Sequence, residues 1–167
     1  YNVESGGPRF CNGFGTSYIS NFMLSDYLDK NEGYIVNCYD QAAAVCLLVR
    51  LIGLPAHYLV MTKFGYINTI DVVGVGPCNN PLYPRTPYGP ADAPSDATRP
   101  LRYPFTNHAF SGFFTGSIYD ACAGPVIGLA DINAYLLSVV DGSTGAERDE
   151  MGNVTDHFRI GSVGGFY

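Results

Sequence analysis

The clearest pattern of hydrophobic positions in the chain predicts a central helix over residues 38–52. Between residues 42 and 52 the only polar side chain is Arg50, so the helix is apolar on nearly every face and is expected to be buried. Gly53 then favours a helix end, and a proline two residues later prevents its continuation. The pattern therefore puts one apolar helix at the centre of the fold.

Shorter hydrophobic runs before and after this helix predict two further helices and several strands. Helical spacing of large apolar residues indicates helices over 17–30 and 131–140. The strand-like runs His57–Phe64 and Tyr66–Val75 are expected to form a β-hairpin that turns near Gly65. The other expected strands are Phe105–Phe114, Ser117–Cys122 after a turn between Gly112 and Gly116, and a short strand within 157–163.

Residues 77–104 differ in composition from the rest of the chain. They hold eight of its 11 prolines and few aliphatic side chains, which indicates a long loop rather than a regular element. A loop of this length in a small domain is usually functional or disordered. Because it leads into the strand that begins at Phe105, it is interpreted either as a rim or lid of a substrate site or as an inert surface insertion.

Length and charge narrow the classes of protein to which the chain can belong. At 167 residues and 47% hydrophobic content, it is expected to form a single domain over 1–167. No run approaches the roughly 18 consecutive apolar residues that a membrane span needs, so none is expected. A net charge of −6 argues against a nucleic-acid partner, because no basic surface would follow the phosphates. Since the chain begins at Tyr1, it is expected to be processed or excised from a longer polypeptide.

The five cysteines allow two interpretations of the redox state. In one, Cys38 is free and up to two disulfides form among Cys11, Cys46, Cys78 and Cys122. In the other, all five are reduced and Cys46 belongs to the apolar core around the central helix. The chain has no Cys-x-x-Cys motif and no close pairing of cysteine with histidine, so no metal and no other cofactor is expected.

Cys38 is the leading candidate for a nucleophile. Asn37 is a favourable N-cap and Asp40 can return a hydrogen bond to it, so the cysteine falls in the first turn of the helix. There it faces unpaired amide N–H groups and the positive end of the helix dipole, which favour the reactive thiolate. Asp40 is interpreted as support for the helix start, because a negative charge beside the sulfur disfavours the thiolate. The structural alternative is an inert, buried cysteine.

His108 and Asp120 are the candidates that would complete a thiol active site. His108 lies in an aromatic strand and Asp120 at the end of the next one, so antiparallel pairing would bring them together. Thiol acyl transfer needs a nucleophile, a base and a group that orients the base. The alternatives are a half-buried strand histidine and a turn aspartate, with His57 and His157 as less favoured bases.

These motifs resemble the transglutaminase-like superfamily of papain-like thiol enzymes. The similarity runs in family order over residues 37–122, roughly half of the chain, and rests on four segments. They are Cys38-Tyr39-Asp40-Gln41-Ala42, Arg50-Leu51-Ile52-Gly53-Leu54-Pro55-Ala56-His57-Tyr58, Asn107-His108-Ala109-Phe110 and Tyr119-Asp120. The chain departs from the family at Phe110, where tryptophan is usual, and at His57, where arginine is common.

The resemblance implies an α+β, papain-like fold in which the helix of Cys38 packs on an antiparallel sheet that carries His108 and Asp120. It also implies that these residues form a Cys-His-Asp triad and that Cys38 attacks a carbonyl group to form a thioester. The Cys38 backbone N–H would be one donor to the oxyanion. The candidates for the second donor are Asn31, Tyr34 and Asn37.

The activity implied is acyl transfer or deamidation at a glutamine side chain of a protein substrate, with a primary amine or water as acceptor. A cysteine protease of the same superfamily and a catalytically inactive transglutaminase-like binding domain are the alternatives. A disulfide-stapled secreted binding module is a third, and it requires Cys38 to be bridged. Lysine occurs only at Lys30 and Lys63, which suits a toxin effector secreted or translocated into a host cell by a parent polypeptide or delivery apparatus.

Overall fold

The computed structural model describes residues 8–12, 21–29, 36–65, 70–72, 76–78, 105–113, 115–124, 126–129, 131–139 and 158–161. Its elements in chain order are β1 (Cys11–Asn12), β2 (Asn21–Phe22), α1 (Leu24–Leu28), α2 (Cys38–Leu51), β3 (Ala56–Gly65), β4 (Ile70–Val72), β5 (Gly76–Cys78), β6 (Phe105–Phe113), β7 (Ile118–Asp120), β8 (Val126–Leu129), α3 (Ile132–Val139) and β9 (Phe158–Gly161). Helices combine with antiparallel strands, so the α+β class is confirmed at that level.

The described strands form one large sheet and two small ones. The large sheet has five strands in the order β8-β7-β6-β3-β9, and each neighbouring pair is antiparallel. β3 pairs with β6 in a regular register from Ala56 opposite Phe113 to Thr62 opposite Asn107. β1 pairs with β2, and β4 with β5, in separate two-stranded sheets. The strand that carries His108 is therefore the middle strand of the large sheet.

α2 packs on the face of the large sheet that β3 and β6 form. The Ser111 hydroxyl on β6 donates to the Ala42 carbonyl oxygen at 3.2 Å, and the Cys46 sulfur lies 3.5 Å from that hydroxyl. The expectation that the helix is buried on nearly every face is wrong at its last turns, where Leu48 and Leu51 are 43% and 64% exposed. A sheet buries only the side of a helix that packs on it. Apolar residues elsewhere on the helix can therefore stay exposed.

Gly53 ends α2, and Arg50 connects the helix to β3. Gly53 has φ 83°, in the left-handed region that glycine adopts without steric cost, and its N–H donates to the Arg50 carbonyl oxygen at 2.9 Å. The guanidinium of Arg50 donates from Nε to the Ala56 carbonyl oxygen at 2.8 Å. Arg50, the one polar residue after residue 41 of this helix, thus helps to fix where the interior strand β3 begins.

Asp40 fixes the start of α2 and holds the N-terminal segment against it. The Asn37 side-chain oxygen accepts from the Tyr39 N–H at 3.0 Å, and the Asp40 carboxylate accepts from the Asn37 N–H at 3.3 Å. The same carboxylate accepts from the N–H groups of Arg9 and Phe10 at 2.9 and 2.8 Å. The interpretation of Asp40 as support for the helix start is confirmed.

Replacing Asp40 by asparagine is expected to lower the free energy of unfolding by about 3 kcal/mol. The NH₂ group of the asparagine would face backbone N–H groups that now donate hydrogen bonds to the carboxylate. Urea unfolding measures the loss. Asp26→Asn, at an exposed position in the first turn of α1, is the matched control and is expected to cost less than about 0.5 kcal/mol. Equal stability of the two variants would contradict this role of Asp40.

The first helix expected from the sequence is wrong in its extent. Within the predicted span 17–30, the helix covers only Leu24–Leu28, and Asn21–Phe22 forms β2 instead. Phe22 is 0% exposed and pairs with Cys11 of β1, so tertiary packing outweighs the helical spacing of the apolar residues. Residues 17–20 and 30 lie outside the described residues.

The expected hairpin is also wrong. The strand predicted at His57–Phe64 exists as β3, but it pairs with β6 on one edge and with β9 on the other. Ile70–Val72, from the second half of the expected hairpin, pairs with Gly76–Cys78. Hydrophobic alternation identifies a strand and its buried face, but it carries no information about a partner that is distant in sequence.

The remaining helix and strand predictions are confirmed. β6, β7 and β9 lie within the three other predicted strands, and α3 lies within the helix predicted at 131–140. The proline-rich loop predicted at 77–104 is wrong at its first two residues, which belong to β5, and residues 79–104 lie outside the described residues. Of the helices in the described part of the chain, none has both the length and the apolar character to cross a membrane.

Candidate active site

The predicted base and the carboxylate predicted to orient it are in contact. His108 Nε2 lies 2.8 Å from Asp120 Oδ2, and the two side chains are 3% and 1% exposed. The register that pairs Ser111 with Tyr119 puts Asp120 diagonally across from His108 on the neighbouring strand. Antiparallel pairing of β6 and β7 therefore brings the two residues together, as the sequence predicts.

Cys38, the first residue of α2, lies near the His108 side chain. The pKa of His108 is raised both by the charge of Cys38 and by a side-chain hydrogen bond between the two residues. Because Nε2 is engaged with Asp120, a proton exchange with the sulfur would have to use Nδ1. Cys38 is a free thiol and is 3% exposed. All three predicted site residues are thus buried close together.

The opposite charges of His108 and its neighbours stabilise one another. Burial alone would lower the pKa of His108, but the charges of Asp120 and Cys38 and the hydrogen bonds to both raise it to about 10. Burial would raise the pKa of Asp120, whereas the imidazolium of His108 and hydrogen bonds from its neighbours hold it below its usual value. His108 is therefore cationic and Asp120 anionic at neutral pH.

This ion pair predicts how stability varies with pH. The pKa of His108 rises from 6.5 to about 10 on folding, so its contribution is fully present below pH 6.5 and is lost as the pH rises through 10. The pKa of Asp120 is lowered on folding, so its contribution is present above 3.8 and is lost as the pH falls through the folded value. The stability difference between the wild type and His108→Gln is expected to shrink between pH 6.5 and about 10.

Urea unfolding at a series of pH values across that window measures this difference. His57→Gln, at an exposed position on β3, controls for the general effect of replacing a histidine in the sheet. A stability difference between the wild type and His108→Gln that stays constant across the window would contradict the ion pair.

Asp120 is held by three further donors that sequence reasoning missed. The Tyr135 hydroxyl donates to Oδ2 at 2.6 Å, and the N–H groups of Cys122 and Ala123 donate to Oδ1 at 2.7 and 3.1 Å. An aspartate followed by small residues is typical of a turn in which the side chain accepts from the backbone, so this signal was present. The apolar spacing of the last helix indicates that Tyr135 is buried, but not what it contacts.

The described cysteines show no disulfide. Cys11, Cys38, Cys46 and Cys122 are all free and buried, so the interpretation with disulfides among them is wrong; the Cys78 side chain lies outside the described residues. The disulfide-stapled binding module required a bridged Cys38 and is contradicted as well. Buried apolar surroundings on α2 and beside the sheet, rather than cross-links, hold these residues in the core.

The three described cysteines other than Cys38 have chemistry typical of core thiols. Burial raises the pKa of Cys46 to about 11. Burial, reinforced by the nearby carboxylates, also raises the pKa of Cys11 and of Cys122. These three thiols are therefore protonated and poor nucleophiles at neutral pH.

The less favoured candidates stand apart from these contacts or outside the described residues. His57 is exposed on β3, whereas His157, Asn31 and Tyr34 lie outside the described residues. The Asn37 side-chain oxygen caps α2 by accepting from Tyr39 and Asp40. In the described part of the chain, no three side chains of histidine, cysteine, aspartate or glutamate are grouped so that they could hold a metal ion.

Asp120, His108 and the nearby Cys38 bring together a carboxylate, an imidazole and a sulfur. The carboxylate holds one ring nitrogen, and these three kinds of group are the ones that nucleophilic thiol catalysis requires. No protein-family model, no curated protein and no solved structure matches this chain. The geometry of these three residues is therefore the main support for a functional proposal.

Proposed function

We propose that the protein catalyses thiol-dependent acyl transfer or deamidation at glutamine side chains of a protein substrate, through a thioester on Cys38. The observation that carries this proposal is the buried pair in which His108 lies 2.8 Å from Asp120, with Cys38 near enough to raise the pKa of His108. This arrangement supplies a nucleophile, a base and an orienting group. The choice of glutamine as substrate rests on the motif resemblance.

In the first stage, the Cys38 thiolate attacks the carboxamide carbon and forms a C–S bond, while the carbonyl electron pair moves onto oxygen. The Cys38 backbone N–H, at the N-terminus of α2, is positioned to donate to that oxygen. His108 gives its Nδ1 proton to the departing nitrogen as the C–N bond breaks, and ammonia leaves. Asp120 keeps Nε2 protonated, so only Nδ1 exchanges a proton.

In the second stage, a primary amine or water attacks the thioester carbon, and neutral His108 takes its proton. The C–S bond breaks, and its electron pair returns to sulfur. Because the charge of Cys38 is one cause of the raised pKa of His108, acylation removes that cause and lowers this pKa, so that more of the imidazole is neutral and able to accept a proton. An amine yields a substituted amide, and water yields glutamate.

The finer description of the fold belongs to the same proposal. We assign the helix and central strands to a papain-like core, with Cys38 at the start of α2 and with His108 and Asp120 on β6 and β7. Support comes from the order of these elements along the chain and from the packing of α2 on β3 and β6. Both features involve the elements that carry the residues of the motif resemblance.

Two alternatives share these observations. A cysteine protease would use the same residues, with the amine of a peptide bond as leaving group. A catalytically inactive binding domain is favoured by one observation, the 3% exposure of Cys38, because so small an exposed surface restricts access of a substrate to the sulfur. The buried His108–Asp120 pair beside Cys38 favours an enzyme instead, because a vestigial site has no need to keep a buried ion pair.

Incubation with a glutamine-rich protein whose lysines are methylated, together with a biotin-linked primary amine, tests the proposal. Biotin on the substrate supports transfer, and ammonia release with conversion of glutamine to glutamate supports deamidation. Backbone cleavage in its place would replace the proposal with the protease alternative. No product over a wide range of protein concentration and pH would favour the inactive domain.

A further inference from the structure

Tyr135 contacts the same carboxylate oxygen as His108. It lies on α3, is 0% exposed, and its hydroxyl donates to Asp120 Oδ2 at 2.6 Å. His108 Nε2 lies 2.8 Å from that oxygen. The second carboxylate oxygen accepts from the N–H groups of Cys122 and Ala123. Asp120 therefore has four donors, and the two on Oδ2 are side chains from different elements.

We propose that Tyr135 is a positioning residue for the candidate thiol site, which acts through Asp120 to fix the orientation and the protonation of His108. This inference rests on the proposed function. The hydroxyl holds Oδ2 in one position and shares the charge of the carboxylate with the imidazole. The proton on Nε2 consequently stays with His108, and the ring keeps one orientation beside Cys38.

The aromatic packing around Tyr135 supports this role. Its ring lies 4.6 Å from the ring of Phe110, centroid to centroid, and Phe110 lies 5.9 Å from the ring of His108 on the same strand. Phe110 is 1% exposed, so the three rings form a buried group beside the carboxylate. A ring held in this way keeps its hydroxyl aimed at Oδ2 at little further entropic cost.

The protonation of the phenol is suited to the same role. Burial, the charge of Asp120 and the hydrogen bond to it raise the pKa of Tyr135, so the hydroxyl stays protonated and donates. It adds a donor without adding a charge. The other titratable groups that face this pair in the described residues are Cys38 on α2 and Cys122 after β7.

Tyr135→Phe keeps the ring and removes only this donor. Without it, the full charge of Oδ2 acts on the imidazole, and the midpoint of the His108 titration is expected to rise. In histidine-labelled protein, NMR follows that midpoint and the proton on Nε2, which is expected to shift toward the carboxylate. The acid limb of the turnover profile is expected to move to higher pH, with kcat reduced about tenfold and KM little changed.

Tyr119→Phe is the matched control, because it removes a half-buried hydroxyl from the residue that precedes Asp120 without touching the carboxylate. It is expected to leave the His108 midpoint unchanged. A His108 midpoint and Nε2 proton signal that are the same in Tyr135→Phe as in the wild type would overturn the inference. The NMR readout needs no turnover, so a shift without any activity would sink the proposed function and leave the positioning role standing.

A measurement on the wild type covers the case in which Tyr135→Phe does not fold. The hydroxyl proton of Tyr135 and the Nε2 proton of His108 face one oxygen, so both are expected to exchange slowly with water and to show cross-relaxation with each other. Rapid exchange of the Tyr135 hydroxyl proton would overturn the inference without any variant.

Discussion

Cys38→Ala is expected to reduce turnover by a factor of about 10⁴ or more while leaving the protein folded. The variant removes the sulfur that lies near His108, and no thioester can form without it. A buried cysteine replaced by alanine loses little volume, so the circular dichroism spectrum is expected to be unchanged. Amine incorporation and ammonia release with the glutamine-rich substrate measure the activity that remains.

Cys46→Ala is the matched control for this variant. Cys46 lies on the same helix, is also a free buried thiol, and contacts Ser111 rather than the candidate site. It is expected to retain the activity of the wild type after allowance for any loss of stability. Turnover that survives in Cys38→Ala, or that falls equally in both variants, would contradict the assignment of Cys38 as the nucleophile.

Alkylation separates an active thiol from an inert one without a known substrate. Burial raises the pKa values of Cys11, Cys46 and Cys122, so these thiols are expected to resist iodoacetamide at neutral pH. Cys38 is the described cysteine expected to react, and peptide mass spectrometry identifies the labelled residue. Protection of Cys38 in the folded protein, together with an absence of turnover, would favour the inactive binding domain.

Local signals predicted the parts of the fold that local chemistry decides. The boundaries of α2 follow from a capping box at Asn37 and Asp40 and from a glycine at Gly53, all of them within the helix or next to it. The predictions that failed concern strand pairing and core packing between residues that are far apart in the sequence. β3 pairs with strands from much later in the chain, and β2 forms because Phe22 is taken into a shared core.

The same distinction separates the parts of the candidate site. His108 and Asp120 could be paired because they lie on consecutive strands, and Cys38 could be selected from its place at a helix start and from the motif resemblance. Tyr135 could not, because an apolar helix reveals which face is buried but not which carboxylate that face meets. The bulge-like shift between β7 and β8 at Asp120 is equally invisible in the sequence, although it accompanies the turn that supplies two of the four donors.

Among substitutions that preserve the shape of the side chain, Asp120→Asn is expected to reduce activity and stability the most. The carboxylate accepts from four donors, two on each oxygen, whereas an amide has a single acceptor oxygen. The N–H groups of Cys122 and Ala123 cannot reverse their polarity, so the amide oxygen is expected to face them. Its NH₂ group then faces His108 and Tyr135, both of which can switch from donor to acceptor.

The switch in His108 is what removes the activity. To accept from the amide at Nε2, the ring must carry its proton on Nδ1, and it can then no longer take a proton at the sulfur. A wrong tautomer of this kind is expected to lower turnover by a factor of about 10⁴. Loss of the buried ion pair is expected to cost about 3 kcal/mol of stability, and the largest cause that raises the pKa of His108 disappears, so its titration moves down from about 10.

Asp131→Asn is the matched control, because Asp131 is an exposed aspartate whose side chain accepts from the Ala134 N–H at the start of α3, where asparagine caps equally well. It is expected to change stability by a few tenths of a kcal/mol and to leave turnover unchanged. Combining Asp120→Asn with Tyr135→Phe removes one of the two donors that must reverse, so the double variant is expected to be more stable than the sum of the single losses predicts. Strict additivity would mean that the phenol and the carboxylate act independently, against the 2.6 Å contact between them.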